Sequence, residues 1–245
     1  MKGGLYRIRE NRPLGGGMVM LRLEGDTSAL VNPGQFADIR VPEKFLRRPI
    51  SVCDWDEGTL TLVYRILGSG TAALAGLEPG AQLDLLTGLG NGYNLGLAGK
   101  KPLLLGGGAG IPPLYGLCKR LLDRGAEPTV LLGYRSNRDV YLLEDFQALG
   151  VEVRVSTQDG SLGKAGVVTD LLEGLEYTFF YTCGPEPMYR AISRVIKTPG
   201  EYSFEARMGC GFGACMGCSC ETLTGTKRIC RDGPVMESGE IKWES

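Results

Sequence analysis

Histidine occurs nowhere in the 245 residues, and its absence removes whole reaction classes before any motif is considered. No Ser-His-Asp or Cys-His arrangement, no HExxH zinc site and no imidazole general base can be assembled. An excess of either charge is also missing, with 27 basic against 28 acidic side chains, and no stretch concentrates Lys and Arg among aromatics. Nucleic acid is not an expected partner, because binding phosphates draws on a basic surface. No apolar run reaches membrane length, and the opening "MKGGLYRIRENRP" lacks the apolar core of about 7–15 residues that a signal peptide needs. These absences predict a soluble cytoplasmic protein with no membrane association, whose chemistry belongs to bound cofactors.

What is present divides the chain into three. Its length predicts two domains with a small appendage, and 43% hydrophobic residues suffice for real cores. The first hundred residues carry short β-type runs such as "FADIRV" and "TLTLVYRI", separated by Gly, Pro and Asn, which predicts an antiparallel barrel over 1–98. From residue 101 short apolar strands ("PLLLGGG", "PTVLLGY", "VEVRVST", "YTFFYTC") alternate with helical candidates ("PPLYGLCKRLLDRG", "LLEDFQAL", "GVVTDLLEGL", "PEPMYRAISRVI"). That alternation predicts a parallel α/β domain over 99–199. A cysteine-rich module over 200–245 closes a multidomain arrangement of α/β and all-β parts.

Five of the eight cysteines lie between residues 210 and 230, while Cys53, Cys118 and Cys183 are scattered singly, unlike a disulfide framework. Cys210, Cys215 and Cys218 have the spacing C-x4-C-x2-C, and Cys230 follows at a distance, the plant-type [2Fe-2S] signature. Two irons each need two thiolates and a tight loop that turns backbone N–H groups toward sulfur. Gly209, Gly211, Gly213, Ala214 and Gly217 supply the small residues. Arg207, Lys227, Arg228 and Arg231 are available to offset the anionic cluster. A structural zinc site is the alternative, although it favours paired C-x2-C knuckles or Cys/His mixtures. Cys220 competes with Cys218 as a ligand, and spacing selects Cys218.

In "LLLGGGAGIPPLYGL", Gly106, Gly107, Gly108 and Gly110 follow a strand, where missing side chains let backbone amides approach a pyrophosphate at a helix N-terminus. Proline replaces the last glycine of the ordinary fingerprint, and a ligand-free glycine turn remains the alternative. "YTCGPEPM" puts Cys183, Gly184 and Pro185 in a second tight turn at the same sheet edge, so the pair predicts a dinucleotide crevice. "RRPISVCDW" and "VYRILGSGT" offer an Arg, a Pro and a hydroxyl at a strand end, suited to a flavin diphosphate and ring edge.

Taken in order, "RRPIS", "VYR", "GT", "GGGAGIPPL", "CGPEPM", "GCGFGACMGCSC" and "RICRDGPV" resemble the electron-transfer subunits of NAD-dependent, type B dihydroorotate dehydrogenase, within the ferredoxin reductase superfamily. The resemblance covers essentially the whole chain. It implies an FAD-binding barrel, an NAD-binding α/β domain and a C-terminal [2Fe-2S] module. It further implies FAD contacts at Arg48, Pro49, Ile50, Ser51, Val63, Tyr64, Arg65, Gly70 and Thr71, and cluster ligation by Cys210, Cys215, Cys218 and Cys230. The nicotinamide site falls between the glycine turn and "CGPEPM". The implied role is to pass electrons from the FMN of a catalytic partner to NAD+ in pyrimidine (UMP) biosynthesis, within a heterotetramer holding two of each subunit. No catalytic residue is assigned, since the orotate chemistry falls to the partner. Two other readings stay open: a small subunit of an NAD(P)H:ferredoxin or sulfide-linked oxidoreductase, and a nucleotide-sensing, metal-binding regulatory protein.

Overall fold

Period-two alternation governs the first ninety residues of the computed structural model, which describes residues 1–243. In the strand Met18–Glu24, Val19, Leu21 and Leu23 are buried while Arg22 and Glu24 are exposed, so one face must be covered. Closure covers it. Strands β1 (Lys2–Gly15), β2 (Met18–Glu24), β3 (Phe36–Arg40), β4 (Arg48–Asp56), β5 (Thr59–Arg65) and β6 (Gln82–Leu89) form an antiparallel barrel ordered β1-β2-β5-β4-β3-β6. Helix α1 (Ser69–Ala75) connects β5 to β6. Tyr6, Ile8, Leu21, Ile39, Leu62 and Leu85 fill the interior, each large apolar side chain contributing ~1.5–3 kcal/mol on burial.

Beyond the barrel the pattern changes to strands buried on both faces. β7 (Pro102–Gly107), β8 (Thr129–Tyr134), β9 (Glu152–Thr157), β10 (Lys164–Ala165), β11 (Phe179–Cys183) and β12 (Gly200–Ser203) run parallel. Helices α2 (Pro112–Asp123), α3 (Leu143–Ala148) and α4 (Glu186–Val195) connect them. Every residue of β7 is buried. Leu104 packs with Leu114 and Leu117 of α2 on one face, while Leu103 and Leu105 pack with Tyr189 and Ile192 of α4 on the other, as a central parallel strand requires. In α2, Leu114, Leu117, Cys118 and Leu121 repeat at helical spacing, and Gly125 (φ 75°) follows its end.

Two features depart from the sequence reading. "GVVTDLLEGL" yields only a 3-10 turn at Val168–Leu171, bracketed by Gly166 (φ 130°) and Gly174 (φ 73°), conformations no α-helix continues through. The cysteine-rich tail also joins the sheet. After the hairpin β13 (Ser219–Thr222) and β14 (Gly225–Arg228) and the single turn α5 (Ile229–Asp232), strand β15 (Val235–Glu237) pairs antiparallel with β12. The sheet order is then β10-β9-β8-β7-β11-β12-β15. Residues on both sides of position 199 therefore share one sheet.

Candidate cofactor-binding sites

The two turns expected at one sheet edge are brought together. β11 pairs with β7 so that Cys183 stands opposite Gly106. A Cβ on Gly110 would collide with the backbone of Cys183 and Gly184, and one on Gly107 would meet Met188 Sδ at 2.6 Å. Backbone packing demands glycine at 110, whereas at 107 the flexible Met188 side chain is the near neighbour. Gly108 differs, since it has φ 50° and open space beside it, leaving its backbone free to approach a ligand. The Tyr141 hydroxyl donates to the Gly108 carbonyl at 2.6 Å, and the Tyr134 hydroxyl donates to the Tyr141 carbonyl at 2.7 Å. Pro112 and Pro113 occupy the first turn of α2, where no proline N–H is missed. Burial pushes the Cys183 thiol up to about 12, so it stays neutral. Pro185 stands immediately before α4. A cleft lined by Gly16, Arg65, Gly108, Arg135 and Asp139 joins this turn to the barrel.

On the barrel, Arg48, Pro49, Ile50 and Ser51 are half-buried at the start of β4, where Pro49 pairs with Asp38 and Ser51 with Phe36. The Arg48 guanidinium donates to the carbonyls of Leu46 (2.5 Å) and Arg47 (3.1 Å) and lies against Gly70, where a Cβ has no room. Thr71 Oγ1 accepts the N–H groups of Leu67 (2.9 Å) and Gly68 (3.3 Å), fixing the entry to α1. Arg48, Gly70 and Thr71 thus share one corner. Val63 packs toward the α/β domain, Tyr64 toward the barrel core, and Arg65 reaches the cleft. The buried Tyr64 hydroxyl has no hydrogen-bond partner. An unsatisfied buried hydroxyl costs about 1–3 kcal/mol.

The four expected cluster cysteines fall into two pairs. Cys218 Sγ lies 3.3 Å from Cys230 Sγ and accepts the Cys230 N–H at 3.4 Å. Cys210 Sγ accepts the N–H groups of Ala214 (3.2 Å) and Cys215 (3.4 Å). Burial opposes ionisation of Cys210, but the N–H groups of Cys215, Phe212 and Ala214 outweigh it and bring the thiol down to about 6. Burial and the Cys218 sulfur hold Cys230 up at about 12. Gly211 (φ 77°) and Gly213 (φ 91°) make the turns that aim these amides. Among the described residues no three Cys, Asp or Glu side chains converge on a single metal-ion position. Two thiol pairs joined by a glycine-rich loop fit a two-iron centre. Cys220 stands apart, paired with Lys227 across β13 and β14. The cations expected around the loop are partly engaged: Lys227 pairs with Glu240 at 2.7 Å and Arg228 with Asp232 at 3.4 Å, while Arg228 also donates to the Gly213 carbonyl at 2.9 Å.

Asp38 is a residue the sequence did not single out. It is 2% exposed on β3, one carboxylate oxygen has no partner, and the other leaves no space for a side chain on Gly211. Burial pushes its carboxyl up to about 6, against the opposing charge of Arg47. Alternation in "FADIRV" puts Asp38 on the outer barrel face. What covers that face is the tail, whose Cys218, Ile229, Cys230 and Met236 share a core with Phe36 and Leu89 of the barrel and Tyr202 of the sheet.

Comparison with known proteins finds relatives of two parts of the chain and of the whole. Residues 205–242 match the iron-sulfur cluster binding domain of dihydroorotate dehydrogenase B, and residues 104–194 match the oxidoreductase NAD-binding domain. The electron transfer subunit of dihydroorotate dehydrogenase B (NAD(+)) from Bacillus caldolyticus is 46% identical over 222 residues, covering 85% of this chain and 86% of that protein. The corresponding subunit of Fusobacterium nucleatum is 36% identical over 253 residues, covering 97% of each chain. Among solved structures, a chain of NADH-dependent reduced ferredoxin-NADP oxidoreductase superposes with a TM-score of 0.88 at 28% identity, covering 98% of this chain and 90% of that one. The ferredoxin reductase of carbazole 1,9a-dioxygenase shares the fold, with a TM-score of 0.67 at 21% identity over 79% of this chain and 64% of that one.

Proposed function

The chain belongs to the family of electron transfer subunits of dihydroorotate dehydrogenase B, and on that premise we propose how its residues divide the work. Its function is to carry electrons from an FMN-containing catalytic partner to NAD+ through a [2Fe-2S] cluster and FAD. A flavin exchanges a hydride with a nicotinamide and single electrons with an iron-sulfur centre, which is why both groups are held in one chain.

The barrel, residues 1–98, is the flavin-binding unit in this reading. Arg48 supplies charge for the diphosphate, Gly70 and Thr71 shape the corner beside it, and Pro49, Ile50, Ser51, Val63, Tyr64 and Arg65 form the wall for the ring and its chain. Residues 99–199 take the dinucleotide, with the Gly108 backbone at the pyrophosphate and Gly107, Gly110, Cys183, Gly184 and Pro185 keeping the crevice narrow. Residues 200–245 hold the cluster through Cys210, Cys215, Cys218 and Cys230. NAD rather than NADP follows from the family relation, whose members are named for NAD(+).

One observation carries the relay. Asp38 pairs with Pro49 on the strand assigned to flavin and abuts Gly211 in the cysteine loop, so the two centres share one face of the barrel. Short separation is what single-electron transfer needs. Phe212 and Met216 stand about half exposed beside exposed Cys215, and that rim is where we place the catalytic partner, in a complex of two copies of each chain. No described helix is long and apolar enough to cross a membrane, and we assign the complex to the cytoplasm.

The test is anaerobic co-purification with the catalytic subunit. Dihydroorotate should then reduce NAD+, with flavin and iron-sulfur absorption that NADH bleaches, while the isolated chain should not oxidise dihydroorotate. Activity toward ferredoxin and NADPH, with none toward dihydroorotate, would instead support the reading raised by the ferredoxin-NADP oxidoreductase likeness.

A further inference from the structure

β4 does two things along its length. Its first half, Arg48–Ser51, forms the wall assigned to flavin, and its second half is gripped by α2, the helix that begins at the glycine turn. The Asp54 carboxylate takes Lys119 on one oxygen and Arg120, at 3.1 Å, on the other. The Arg120 guanidinium also donates to the Trp55 carbonyl at 2.7 Å and lies 4.1 Å over the Trp55 ring. One turn earlier, Gly116 sits so near β4 that a Cβ would come within 2.6 Å of the Cys53 carbonyl oxygen. The Asp54 side chain is 16% exposed and that of Arg120 23%, so this pairing is largely shielded from solvent.

Surface ion pairs contribute little to stability. A carboxylate saturated by two cations, with one guanidinium also stacked and bonded to backbone, fixes geometry instead. Both arms of the joint are short. Along β4, Ser51 is about 10 Å from Asp54, and along α2 the glycine turn is about 12 Å from Lys119. The α2 arm is regular, and the β4 arm carries one irregularity, a register shift against β5 between Val52 and Asp54.

We propose that Asp54, Lys119, Arg120 and Trp55 are positioning residues for hydride exchange: they clamp the flavin-bearing strand to the helix that presents the nicotinamide, and so set the donor–acceptor distance. This rests on the functional reading above. None of the four reaches the crevice, so the clamp acts on geometry and leaves NADH affinity alone. Misplacement by ~1 Å in such a reaction costs about 100-fold.

The experiment uses the reconstituted complex carrying Asp54→Asn or Arg120→Lys, with NADH as probe. Stopped-flow reduction at saturating NADH should slow about 10- to 100-fold, with the half-saturating NADH concentration within two-fold and flavin and iron contents unchanged. The primary isotope effect with NADH deuterated at C4 should rise. Hydrogen exchange should quicken at residues 52–56 and 114–120 while β2 stays protected. Quicker exchange with an unchanged rate and isotope effect would reduce the clamp to a structural joint and overturn the inference, as would a rate loss matched by lost NADH affinity. If Asp54→Asn sheds flavin, Arg120→Lys, which keeps the charge but loses the stacked fork, decides alone. An unaltered complex whose flavin NADH cannot reduce overturns the functional reading and this inference with it.

Discussion

The glycine turn after β7 and the cysteine loop of the tail both depend on glycine, yet they are held in opposite ways. In the turn, packing against the Cys183 and Gly184 backbone excludes a side chain at Gly110, with a seven-stranded sheet beneath. That site is preformed. In the loop, Ala214, Cys215 and Met216 are open to solvent, and its hydrogen bonds include those from amides to a cysteine sulfur, from Arg228 to the Gly213 carbonyl and from the Ser219 hydroxyl to the Met216 carbonyl. Its order is expected to come from the cluster it encloses, because metal binding energy is folding energy where the site does not fill itself.

Removing a ligand breaks the comparison most sharply. Cys218→Ala should abolish bound iron and the long-wavelength absorption and make residues 208–230 sensitive to protease, while NADH still reduces the flavin. Cys220→Ala, outside the two thiol pairs, should keep full iron in the same assay. Next in size is Gly110→Ala, whose new methyl group must push against the Cys183 and Gly184 backbone. It should cost about 1–3 kcal/mol in denaturant unfolding and weaken NADH binding, with the cluster spectrum untouched. If the turn were as dependent on its ligand as the loop, saturating NADH would restore the lost stability.

A third substitution, with an effect no larger than that of Gly110→Ala, probes the joint between the two regions. Glu201, 5% exposed on β12, accepts the Asn94 N–H at 2.9 Å. Burial raises its carboxyl to about 7, the Asn94 N–H opposing and Glu237 adding to the rise. The folded protein therefore holds a proton that the unfolded chain releases near the ordinary glutamate value. Stability should fall as pH rises from about 4.5 through about 7. Glu201→Gln should flatten that slope and raise the unfolding midpoint at pH 8, gaining about 1–3 kcal/mol; calorimetry across pH 5–8 checks it.

Much of this was legible beforehand wherever the signal was local. The strands with alternating or continuous apolar residues formed as expected, and the cysteine spacing and both turns stand where their flanking strands put them. The missed elements were those decided elsewhere. "GVVTDLLEGL" has helical composition but too short a run between glycines in left-handed or extended backbone. Asp38 reads as an outward polar residue until the tail buries it. No spacing rule warns that β15 returns to pair with β12.

The sequence by itself determined most of the strands and helices, the two glycine turns and the C-x4-C-x2-C spacing, because each rests on residues within about a dozen positions whose chemistry is set by near neighbours. Tertiary structure alone decided that Asp54 meets Lys119 and Arg120 from 65 and 66 residues away. It alone seated Cys218 and Cys230 in a core with Phe36 and Leu89. The physical reason is that contacts between distant segments depend on how whole layers pack, and packing a tail into a groove is a property of the groove as much as of the tail.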